Sequence, residues 1–111
     1  MKTAAGLASV TVCAFAAASA FAADTLVVGS KRFTESYILG EIISRTAGEH
    51  APVQYRPGLG NTGIVFAALE AGSIDIYPDY SGTLAREVLK LEHHASLDEL
   101  NRRLAAKGVG V

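Results

Sequence analysis

Three short segments carry the side chains that could do chemistry. Ser30-Lys31-Arg32 stands just ahead of a helical stretch. Backbone N–H groups at a helix N-terminus, together with a cationic side chain, suit an anion such as a carboxylate. A solvated basic pair is the plainer reading. Tyr77-Pro78-Asp79-Tyr80-Ser81-Gly82-Thr83 sets two tyrosines around a proline that stiffens the turn. The face of a tyrosine ring attracts a cation by roughly 0.5–2 kcal/mol or more as water is excluded. A quaternary ammonium group is a favoured guest, because it donates no hydrogen bond and is weakly hydrated. Tyr77 continues an apolar run, which suits core packing; Tyr80 follows that run, where a core role is less natural. Ser81 and Thr83 add hydroxyls at the next helix start.

The third segment, Gly58-Leu59-Gly60-Asn61-Thr62-Gly63, spells G-x-G-x-x-G between a strand and a helix, and Asp79 ends the next strand. That order is close to a dinucleotide-binding fingerprint. Pro57 and the polar strand before it fit that fingerprint poorly. The plainer reading is that the glycines let the backbone turn tightly and approach a ligand or a neighbouring loop. No catalytic set emerges. There is no G-x-S-x-G and no H-E-x-x-H. His93 and His94 are adjacent, so they point apart and read as surface histidines; His50 stands alone in a turn. Asp75 and Asp79 read as turn-capping carboxylates.

The elements that must position these segments follow from periodicity. Thr25 to Val28 is a consecutive apolar run, as in a strand buried on both faces of a parallel sheet. From Glu35 to Gly48 the period is helical, with Ile38, Leu39, Ile42 and Ile43 as the stripe, Thr34 as the cap and Gly48 as the stop. Val53 to Arg56 is a second strand, closed by Pro57-Gly58. A second helix runs to about Ala71, with Gly72 at its exit. Ile74 to Tyr77 is a third strand, stopped by Pro78. A third helix starts near Ser81 or Gly82 and buries Leu84, Val88 and Leu91. Ser96-Leu97-Asp98-Glu99 is a capping box for a fourth, with Gly108 past its end. Val109-Gly110-Val111 reads as the start of another strand. Alternating strands and helices predict an open α/β sheet, with the three loops converging beyond the carboxyl ends of its strands.

Charge is nearly balanced at −1, and half of the residues are apolar. A basic stripe that would attract nucleic acid is missing. The first two dozen residues are Ala-rich, with Lys2 near the start and Ala20-Phe21-Ala22 as a small-x-small cleavage pattern. Residues 1–22 therefore read as a secretory signal peptide, and Cys13, the one cysteine, falls within it. Nicotinamide cofactors are scarce outside the cytoplasm, so export also argues against the dinucleotide reading.

The three loops, taken together, resemble those of the glycine betaine/choline-binding proteins of ABC importers. The likeness rests on Val28-Gly29-Ser30-Lys31-Arg32-Phe33-Thr34-Glu35, on Gly58-Leu59-Gly60-Asn61-Thr62 and on Ile74-Asp75-Ile76-Tyr77-Pro78-Asp79-Tyr80-Ser81-Gly82-Thr83. It implies an α/β, type II periplasmic-binding-protein-like fold, of which residues 23–111 would form an incomplete N-terminal lobe with a short parallel sheet flanked by helices. It implies no enzymatic chemistry and no cofactor or metal. The expected role is periplasmic capture of a quaternary ammonium osmoprotectant, such as glycine betaine, proline betaine, choline or carnitine, for an ABC membrane permease. Tyr80 would form one wall of an aromatic cage, and Lys31 and Thr83 would bind a betaine carboxylate. Ser30, Asn61, Thr62 and Tyr77 would be further cleft residues. The competing readings are a dinucleotide-dependent oxidoreductase fragment and a truncated remnant without activity.

Export makes a direct prediction. Signal peptidase should cut after Ala22, so N-terminal sequencing of the periplasmic product should begin at Ala23. Retention of Met1 on a cytosolic product is the contrary result.

Overall fold

The computed structural model describes residues 24–111. The expected signal segment 1–22, its cut after Ala22 and Cys13 lie outside the described residues. β1 spans Leu26–Lys31 and β2 spans Val53–Gly60; they pair in parallel, with Leu26 opposite Val53 and Gly29 opposite Arg56. α1, Thr34–Gly48, connects them. Parallel neighbours need such a crossover, because a tight hairpin turn reverses the chain. α2, Thr62–Glu70, follows β2 directly. The small α/β sheet expected from the sequence is therefore present.

β1 is the central element. Beyond its pairing with β2, it carries a third partner on its other edge. Asp75 N–H donates to Val27 O at 2.8 Å, and Gly29 N–H donates to Ile76 O at 2.8 Å. This third segment was expected to be a strand over 74–77, but it makes only a single parallel bridge, Val28 to Ile76. The reason is local. The Asp75 carboxylate accepts from Val27 N–H at 2.7 Å, so a side chain takes a donor that a ladder carbonyl would otherwise use. Pro78 then brings no N–H to extend the pairing.

α1 differs from its expected face. Leu39 and Ile43 are half-buried, but Ile38 and Ile42 are exposed. The fully buried positions are Ser36 and Gly40. Small residues let the helix approach β2 closely: a Cβ added at Gly40 would lie 2.6 Å from the Tyr55 hydroxyl and under 3 Å from its ring. That hydroxyl donates to Tyr37 O at 2.9 Å, which fixes the ring in place. Thr34 is not the cap; Phe33 occupies the cap position and makes no side-chain cap bond, while Glu35 does stand in the first turn.

A second layer of apolar contacts joins α2 to the later helices. Ser81–Thr83 forms one short helical turn, α3, that widens into a π-helical segment over Leu84–Val88. Leu89 N–H reaches back to Leu84 O at 2.9 Å, and Lys90 takes a left-handed φ of 58° to end the turn. α4 spans Leu97–Ala105, and Ser96 caps it by accepting from Glu99 N–H at 3.2 Å, as its capping box implied. Beyond α4, Gly108 N–H bonds Ala105 O and Val109 N–H bonds Leu104 O, the paired closure that needs Gly108 at its φ of 73°. Phe66, Leu84, Ala85, Leu100 and Leu104 form the buried cluster between these helices, with Val88, Leu91, Tyr77 and Val109 packed on it. The segment 109–111, expected to begin a strand, takes no strand conformation; Val109 closes α4 instead.

The α1–β2 contact yields a prediction. Gly40→Val adds a branched side chain where Tyr55 leaves no space, and overpacking of this kind costs about 1–3 kcal/mol. Urea denaturation should show the midpoint falling by the corresponding amount with an unchanged slope. Unchanged stability would mean that α1 moves off the sheet freely.

Candidate functional site

The carboxyl end of β1 and the turn of β2 meet through an irregular stretch of pairing. Gly29 pairs with Arg56, but Lys31 pairs with Gly60, so β2 bulges between them. β2 therefore runs past Pro57-Gly58, where the sequence had closed it. The Ser30 side chain accounts for the bulge. Ser30 is wholly buried, and its Oγ accepts from Gly58 N–H at 2.9 Å. Arg32 holds the same turn from outside. Its N–H donates to Gly60 O at 2.9 Å and its Nε to Gly58 O at 3.3 Å. Gly58 has a φ of 67°, and a Cβ there would meet the Tyr37 hydroxyl at 2.8 Å.

This geometry bears on the glycine motif. Gly58 lies inside β2, and Gly63 lies in the first turn of α2 with only ordinary contacts around it. The strand end, tight turn and helix start that a pyrophosphate would need are thus not laid out on the three glycines. Asn61 caps α2, its Oδ1 accepting from Ile64 N–H at 3.1 Å.

Lys31 ends β1 and is buried, with 6% of its surface exposed. Its Nζ donates to Asp79 Oδ1 at 2.7 Å and to Thr62 Oγ1 at 3.3 Å, and lies 5.3 Å from the centroid of the Phe33 ring. Lys31, Thr62 and the third loop are therefore brought together. Asp79 was expected as a turn-capping carboxylate or as part of the dinucleotide fingerprint, and Phe33 had no expected role of its own; an aromatic two residues after Lys31 was the available signal. Asp79 Oδ1 also accepts from Tyr80 N–H at 2.8 Å. Its Oδ2 is buried without a hydrogen-bond partner among the described residues, as is the Tyr77 hydroxyl. The Tyr77 phenol feels the Asp79 charge without a well-formed bond to it. Burial first, and that charge second, push its pKa far above the ordinary phenol value.

Tyr80 is 45% exposed, with its backbone fixed by Asp79 on one side and by Leu84 N–H donating to its carbonyl at 3.0 Å on the other. The Glu35 carboxylate, at the start of α1, is the main cause of an upward shift in its phenol pKa. Thr83 is half-buried at the end of α3. A cleft of about 530 Å³ opens between Lys31, Arg32 and Phe33 on one side and Asn61 and Thr62 on the other, with Glu87 at its margin. Tyr80 and Thr83 do not line it. His93 faces Glu99 at 3.1 Å in the solvent, and together with Arg103 it lowers the Glu99 pKa. No group of three or more metal-ligating side chains occurs among the described residues.

Residues 24–109 match the model of a family described as the substrate binding domain of ABC-type glycine betaine transport systems. Among curated proteins, the chain is 42% identical over 62 residues to the glycine betaine-binding protein YehZ of Escherichia coli (strain K12), covering 55% of this chain and 20% of that protein. It is 40% identical over 67 residues to the ergothioneine transport permease/ergothioneine binding protein EgtU of Helicobacter pylori (strain G27), covering 59% of this chain and 12% of that one. The chain spans a fifth or less of the length of these two relatives.

Ser30→Ala should separate scaffolding from ligand contact. Leaving the part-buried Gly58 N–H without its acceptor costs about 1 kcal/mol or more. The expected result is a lower melting temperature with faster exchange of the Gly58 amide proton. A variant as stable as the parent would release Ser30 from this role.

Proposed function

The chain belongs to the family of substrate-binding domains of ABC-type glycine betaine transport systems, and from that premise we propose that it captures a quaternary ammonium compound in the periplasm for delivery to a membrane permease. In this reading residues 23–111 form part of the first lobe of a type II periplasmic binding protein, which closes on ligand against a second lobe. The signal peptide over residues 1–22 supplies the export. No bond in the ligand is made or broken, so the protein acts as a receptor.

The observation that carries the proposal is Tyr80. An aromatic ring held half-exposed, with its backbone pinned on both sides, offers a negative face to a cation. Lys31 and Thr83, with Ser30, Asn61, Thr62 and Tyr77 around them, are proposed to meet the remainder of the ligand. Ser30 and Tyr77 would then act from behind it, since the Ser30 hydroxyl is occupied by Gly58 and Tyr77 packs on the core. The ligand panel should include glycine betaine, choline and ergothioneine, the last because one relative is named for it.

Calorimetry on the full-length protein tests this. Tyr80→Phe should bind nearly as the parent does. Tyr80→Ala should lose roughly 0.5–2 kcal/mol or more for every quaternary ammonium ligand. Thr83→Val should weaken glycine betaine more than choline, because only the former has a carboxylate to accept its hydrogen bond. Unchanged binding by Tyr80→Ala would remove Tyr80 from the cage.

A further inference from the structure

Asp79 stands where all three loops meet. One of its oxygens serves both Lys31 Nζ, at 2.7 Å, and Tyr80 N–H, at 2.8 Å. Its side chain is 3% exposed, and its other oxygen has no hydrogen-bond partner among the described residues. A lysine ammonium has three donors. For Lys31 one goes to Asp79 and one to Thr62, and the ammonium lies over the Phe33 ring. The positive charge is therefore met inside the protein before any ligand arrives.

That balance matters for a site that takes cations. A bare buried ammonium near Tyr80 would repel a quaternary ammonium group and favour ligands that bring a carboxylate. Paired with Asp79, it does neither strongly. The same carboxylate oxygen also sets the Tyr80 backbone, so ring placement and charge cancellation depend on one atom. Resting on the quaternary ammonium reading above, we infer that Asp79 is a positioning residue that fixes Lys31 and Tyr80 together and sets the preference between zwitterionic and purely cationic ligands. It touches no ligand itself.

Asp79→Asn keeps the shape and an acceptor for both donors but removes the charge. Calorimetric titration of the full-length protein with choline and with glycine betaine reads the outcome. The ratio of affinities should move toward glycine betaine by about tenfold, because the unbalanced Lys31 now repels choline and attracts the carboxylate. Asp79→Glu, which keeps the charge, should hold the ratio closer to that of the parent. A purely structural role would weaken both ligands alike and leave the ratio unmoved, which would overturn the inference. Should Asp79→Asn not fold, Lys31→Gln is compared with the double variant Lys31→Gln/Asp79→Asn. Choline affinity should fall about tenfold from the single to the double variant as the unpaired carboxylate is lost. Equal choline affinity in the two would overturn the inference. If the parent protein binds none of glycine betaine, choline and ergothioneine, the functional reading fails and this inference falls with it. A parent that binds both, with a ratio insensitive to Asp79, discards the inference alone.

Discussion

The buried ion pair between Lys31 and Asp79 is the constraint on which the rest of the site depends. Both side chains are more than nine-tenths buried. Taking two charges out of water is costly, and removing one partner of such a pair costs about 3–5 kcal/mol because the other is left uncompensated. Replacing both by apolar side chains is often neutral, so a pair of this kind is poorly explained by stability alone. What it does here is join distant parts of the chain. Lys31 ends β1, and Asp79 follows the segment that bridges to the opposite edge of β1 from β2. Their pairing ties the third loop to the first, and the Thr62 hydroxyl adds the second.

Around that pair the backbone is arranged by ordinary satisfaction of donors and acceptors. The bulge in β2 takes Gly58 N–H out of the ladder, and the buried Ser30 hydroxyl provides its partner. Arg32 binds the carbonyls of Gly58 and Gly60 from the solvent side. The residues that looked most like ligand contacts at the first loop are thus also the ones that hold the second loop in place. The cleft beside them opens at the carboxyl ends of the parallel strands, where ligands of open α/β sheets bind.

Much of the element order was legible from periodicity and caps. α1, α2 and α4 lie where their patterns put them, β1 runs on past its expected end at Val28 to Lys31, and the Ser96 cap and the Gly108 stop act as their residue types imply. The misses have separate causes. The segment 74–77 has a strand-like composition, but Asp75 competes for the hydrogen bonds of its neighbour. The third helix has a good apolar period, yet it closes with π-type bonds, with Leu84 and Ala85 in the buried cluster shared with Phe66, Leu100 and Leu104. The exposed Ile38 and Ile42 show a further limit: a stripe on a helix says which side chains are apolar, whereas the approach distance is set by Gly40 against Tyr55.

For the site, the chemical types and their order were readable from the residues: a lysine ahead of a helix start, a glycine-rich turn, and a tyrosine after a proline. Those follow from local rules, because caps, turns and strand ends depend on neighbours a few residues away. The tertiary structure alone decided the partners. It gave Lys31 to Asp79 and Ser30 to Gly58. Charge pairing acts over a few ångströms in space with no regard for separation along the chain. Asp79 therefore read as a simple turn residue until β1 brought it against Lys31.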